Sequence, residues 1–73
     1  MMKQSEIKVA HTYTNSAEHE YRQIVHIYKD HYNGKKYVDY KITYLNGEVG
    51  LIENLMFHIL LKSFARWSKK DVS

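Results

Sequence analysis

HIYKDHYNGKKYVDYKITY, residues His26 to Tyr44, holds five of the chain's seven tyrosines around a single Asn-Gly dipeptide. Strand-forming residues flank Asn33-Gly34 on both sides. Asn-Gly suits a tight hairpin turn because both central residues must take positive φ. A two-residue turn predicts a register with Tyr32 opposite Lys35, Tyr28 opposite Asp39, His26 opposite Lys41 and Ile24 opposite Thr43. Alternation then sorts the side chains. One face carries Val25, Ile27, Val38, Tyr40, Ile42 and Tyr44, and reads as core. The other carries Arg22, Ile24, His26, Tyr28 and Tyr32 with Lys35, Tyr37, Asp39, Lys41 and Thr43, and reads as outward.

Working outward, Glu6 to Tyr13 alternates weakly and predicts a further strand, with Ile7, Val9 and Tyr13 on one face. Asn15 to Val25 fits either period. Asn15 with Glu18 resembles a capping box, and one helical turn near Ser16 to Glu20 before a long strand is the expectation. From Leu51 to about Ser68 apolar residues recur at Leu51, Ile52, Leu55, Met56, Ile59, Leu60, Phe64 and Trp67, the stripe of an amphipathic helix about 27 Å long. A short strand at Glu48 to Leu51 would follow the second Asn-Gly. Phe57, Leu61 and Phe64 extend the apolar surface past what one small sheet covers. Either the N-terminal strand and tails cover them, or they form a patch for a partner or a second copy.

The predicted fold is therefore α+β: one domain over residues 1–73, an antiparallel sheet of about three strands and a C-terminal helix on one face. The chain has no cysteine, which excludes disulfides and thiolate zinc sites. Its longest apolar run, Leu55 to Leu61, is interrupted by His58 and too short to span a membrane. Met1 to Ser5 leads into charged residues rather than an apolar signal region, so a cytoplasmic protein with no membrane partner is expected.

The formal net charge is +3, with eleven Lys and Arg against eight Asp and Glu. Residues 21–47 concentrate the excess. The sign favours an acidic partner, nucleic acid or protein. Arg22, His26, Tyr28, Tyr32, Lys35, Tyr37 and Lys41 set cations among aromatics on one sheet face. Rings can stack unpaired bases while lysines take phosphates, and outward Tyr and Arg equally anchor protein interfaces. Asp30 and Asp39 on the same face weigh against the nucleic acid. A secondary basic patch is expected around the helix at Lys62, Arg66, Lys69 and Lys70.

Catalytic patterns are sparse. There is no Ser/His/Asp set, no cysteine nucleophile and no Gly-rich phosphate loop. His26 opposite Lys41, with Arg22, Tyr28 and Asp39 near, has the groups a metal-free ribonuclease uses. Polar residues on an exposed sheet face gather by default, however, and nothing places a second acid or a pocket. No catalytic residue is assigned. The five histidines offer no ligand spacing: His26 and His31 point to opposite faces, and His11, His19 and His58 stand apart. No metal or other cofactor is expected.

In its 73 residues, lack of cysteine, richness in tyrosine and lysine, and strand-plus-helix plan, the chain resembles the very small proteins phages make to take over host machinery. It most resembles a short transcription regulator that docks on host RNA polymerase. The resemblance implies a non-enzymatic phage protein in the bacterial cytoplasm, an inhibitor or regulator of a bacterial complex, with RNA polymerase the first candidate. A nucleic-acid-binding module using the Tyr/Lys-rich sheet face is the alternative. The resemblance carries over no functional residue.

Overall fold

The computed structural model of the chain describes residues 1–15, 19–45 and 56–73. Its centre is the expected hairpin, formed by β2 (Glu20–Lys29) and β3 (Lys36–Leu45). Before it come a 3-10 turn (Gln4–Glu6) and β1 (Thr12–Thr14). After it come β4 (Met56–Leu60), α1 (Leu61–Trp67) and β5 (Lys70–Asp71). The fold is α+β, and its antiparallel sheet has five strands among the described residues, in the order β4-β3-β2-β1-β5, where about three were expected.

The connection at Asn33-Gly34 is longer than two residues. The ladder ends at Lys29 opposite Lys36, and Asp30 N–H donates to the Lys35 carbonyl. The Asp30 carboxylate accepts from the N–H groups of Tyr32 and Asn33, at 2.7 and 3.1 Å. The Asn33 side chain accepts from Lys35 N–H, and Gly34 takes φ 70°. These local bonds satisfy the backbone of a wider loop and outcompete the tight turn. Tyr28 consequently faces Tyr37, and His26 faces Asp39 rather than Lys41. The slip is an even number of residues, so Tyr28 and Tyr37 keep the faces alternation gave them.

A bulge at Val25 breaks the pattern further down. Ile24 pairs with Tyr40, and Arg22 with Ile42. One extra residue in one strand turns everything beyond it to the other face. Ile24 and Arg22, expected outward, thus lie on the inner face, where Ile24 is fully buried. A second irregularity, between Tyr21 and Arg22, sets Tyr21 opposite Tyr44 with their rings 5.1 Å apart.

The predicted helix from Leu51 to Ser68 is corrected. Met56 to Leu60 is a strand pairing with β3, and the helix occupies seven residues. Residues 51–55 and the expected strand at Glu48 to Leu51 lie outside the described residues, as do Ser16 to Glu18 of the expected helical turn. Met56-Phe57-His58-Ile59-Leu60 satisfies both periods, because apolar neighbours fill both faces. The exposed edge of β3 decides the matter by offering ladder partners. The helix stops where Ser68 supplies both its N–H and its hydroxyl to the Phe64 carbonyl.

The core lies between the inner sheet face and α1. Val38, Tyr40 and Ile42 of β3 meet Leu61, Phe64 and Ala65 of the helix, with Ile7, Tyr13 and Ile24 completing it. Phe64 is its pivot, with ring centroids 5.7 Å from Tyr13, 5.5 Å from Tyr40 and 5.6 Å from Trp67. Burying a side chain of this size contributes about 1.5–3 kcal/mol. Of the apolar surplus, Leu61 and Phe64 are buried, while Phe57 stays partly exposed against Tyr40. Ile7 and Tyr13 are buried as expected, but Val9 is exposed: the 3-10 turn and a positive φ at Ala10 interrupt the alternation.

Candidate partner-binding face

The outer face of the sheet carries a plate of three rings. Tyr28 on β2, Tyr37 on β3 and His58 on β4 meet because the ladder aligns their strands. Tyr28 and Tyr37 stack at 5.8 Å and Tyr37 and His58 at 5.7 Å, each pair within 25° of parallel. Tyr28 and His58 close the triangle at 6.2 Å. Tyr28 remains 37% exposed.

Asp39 sits at the side of this plate, between two histidines. Its carboxylate oxygens lie 3.2 Å from His58 Nδ1 and 3.5 Å from His26 Nδ1. An ionised carboxylate only accepts, so His58 Nδ1 carries the hydrogen it shares with Asp39. The Tyr28 hydroxyl oxygen, 2.9 Å from the same nitrogen, is then a second acceptor. Tyr28 is pushed above the ordinary tyrosine value, first by desolvation and then by the negative charge of Asp39. It therefore stays a neutral phenol. The Asn33 amide donates to the Tyr37 hydroxyl at 3.1 Å, tying the loop to the plate.

The remaining residues singled out by sequence divide. Tyr32 stands at the loop tip, fully exposed, and Lys41 lies on the outer face opposite Gln23 and Met56. Lys35 lies in the hairpin loop and lines a groove with Lys62 of α1. Arg22 does not belong to the face. It points inward, pairs with Glu20 and lies over the rings of Tyr40 and Trp67. The ribonuclease constellation is therefore not assembled as expected, since His26 faces Asp39 and Arg22 is on the other side of the sheet. The basic patch also divides. Lys62 and Arg66 are exposed on α1, whereas Lys69 and Lys70 lie beyond the helix alongside β1.

Sequence reasoning missed His58 and the structural use of Asn33. Reading 56–60 with period two would have put His58 on the outer face beside Asp39. Among the described residues no group of three His, Cys, Asp or Glu side chains is arranged to hold a metal ion. No helix among them is long and apolar enough to cross a membrane. Comparison with family models, curated proteins and solved structures finds no match to this chain.

Proposed function

We propose that this chain is a non-enzymatic binding protein that docks on a protein partner through the outer sheet face. The partner is a bacterial complex, with RNA polymerase the first candidate, and the chain acts as a phage-like inhibitor or regulator of it in the cytoplasm. The observation that carries the reading is the ring plate of Tyr28, Tyr37 and His58. Rings held by one another and by Asp39 lose little freedom on binding, and Tyr is enriched among interface anchors. Asp39 lies at the side of the plate, and a carboxylate there repels phosphates. That favours a protein over a nucleic acid on this face. The choice of a bacterial target rests on the size and character of the chain alone.

The second reading is a nucleic-acid module using the same face. The stacked rings and the free Tyr32 support it, because every base offers a flat partner. Affinity capture of the tagged protein from bacterial lysate, with and without nuclease, separates the two. A defined complex retained after nuclease, and lost when Tyr28 and Tyr37 are both alanine, is the expected result. Material that vanishes with nuclease and is also lost in the tyrosine variant would replace the first reading by the second.

A further inference from the structure

Beside α1 and the hairpin loop, two open concavities adjoin. One, about 330 Å³, is lined by Lys35 and Lys36 of the hairpin and Lys62 of α1, with Gln4. The other, about 650 Å³, shares Gln4 and Lys62 and adds Lys3 and Arg66. Together they form one groove that, among the described residues, has five Lys and Arg side chains along it and no carboxylate in its lining. Lys62 and Arg66 stand one helical turn apart on the same side of α1, which repeats the charge along the groove. Among the described residues none of the five side chains is ion-paired. The hairpin-loop carboxylate, Asp30, has one oxygen committed to the N–H groups of Tyr32 and Asn33, and at the other end Glu6 accepts from the Lys3 N–H at 2.8 Å.

Cross-strand pairing adds a second observation. Lys29 and Lys36 are direct ladder partners. Like charges placed opposite one another are destabilising, and an anion that bridges them removes the repulsion. A single small anion would answer one end of the groove only. A linear polyanion answers its whole length.

We propose that this groove seats the sugar–phosphate backbone of a nucleic acid. Among the described residues the groove lining contains no aromatic side chain, so the contacts are to phosphates and carry no sequence preference. This surface is separate from the ring plate and the proposal does not depend on what the plate binds.

The test is fluorescence anisotropy with a labelled duplex and a labelled single strand, each about 20 nucleotides long, read at low and raised salt. Four phosphate contacts correspond to a loss of about 100-fold in affinity between about 50 and about 200 mM salt. The Lys36→Glu/Lys62→Glu variant should bind at least about tenfold more weakly, since each phosphate contact contributes to the salt-dependent affinity. Both side chains are exposed, and circular dichroism checks that the variant folds. The Tyr28→Ala/Tyr37→Ala variant should bind as wild type does. Absence of binding at low salt, or binding indifferent to the charge reversals, would overturn the proposal. So would loss of binding in the tyrosine variant, which would move the nucleic acid to the ring plate. Competition by a poly-glutamate peptide as effective as that by unlabelled DNA would give the groove to an acidic protein instead.

Discussion

The Arg22 guanidinium lies 3.9 Å from the centre of the Trp67 ring and 4.7 Å from that of Tyr40. It thus joins β2, β3 and the end of α1 at the margin of the core. Its side chain is only 16% exposed, and Glu20 balances its charge. A half-buried cation between two rings contributes through stacking as well as charge.

Arg22→Ala should accordingly lower unfolding stability by about 1–3 kcal/mol, from lost cation–π contacts and packing. Arg22→Lys keeps the charge but loses the planar stacking, and should recover less than half of the loss. Neither change should alter partner binding. Chemical denaturation followed by Trp67 fluorescence reads the effect, since the altered side chain touches that ring.

Tyr13 holds the N-terminal segment to the sheet. Its ring is fully buried, and its hydroxyl donates to the Glu6 carbonyl at 2.9 Å and accepts from Lys8 N–H at 2.8 Å. Tyr13→Phe keeps the ring and leaves both backbone groups without that partner, at a cost of about 1–3 kcal/mol. Amide exchange at Lys8 should accelerate more than exchange along β3.

Ala10 takes φ 72° while its N–H donates to the Ile24 carbonyl and its own carbonyl accepts from the Gln23 amide. These bonds hold an alanine in a left-handed conformation that glycine adopts without strain. Ala10→Gly should therefore raise stability, by about 0.5–1 kcal/mol after the added unfolded-state entropy. A decrease in the denaturation midpoint would contradict this.

Asp71 fastens β5 to the edge of the sheet. Desolvation raises its pKa, but hydrogen bonds with His11 Nδ1 at 2.6 Å and with Ser73 N–H at 2.8 Å prevail and hold it below the ordinary 3.8. A carboxyl whose folded pKa is depressed stabilises fully above its unfolded value and loses that contribution as pH falls through the folded one. Docking of β5 should therefore weaken as pH drops below the ordinary carboxylate range, and Asp71→Asn should flatten that dependence. Amide protection at Lys69 and Val72, which bond to Thr14 and Thr12, reports it directly.

Much of this architecture is legible in the alternation around Asn33-Gly34. Period two placed Val38, Tyr40 and Ile42 inside, and Tyr28 and Tyr37 outside. Those placements survive because the wider loop slips the register by an even number. The loop itself is not legible: a single carboxylate, Asp30, replaces the tight turn by capping two N–H groups. Nor does local sequence announce the bulge at Val25, which is why Arg22 and Ile24 change sides. The strand at Met56 to Leu60 is hidden because its residues fit a helix equally well. Tertiary pairing with β3 chooses between the two, and His58 reaches the ring plate only through that choice. The two-residue strand β5 has no pattern to read; its backbone partners on β1 define it.

The most direct measurement of the central claim is the affinity of purified bacterial RNA polymerase for this protein and for its Tyr28→Ala/Tyr37→Ala variant, both shown to be folded. Saturable binding by the wild type, weakened at least about 30-fold in the variant, is expected if the two rings are interface anchors worth about 2 kcal/mol together. Equal binding by both proteins would contradict the assignment of the outer sheet face. No binding by either would remove RNA polymerase as the target.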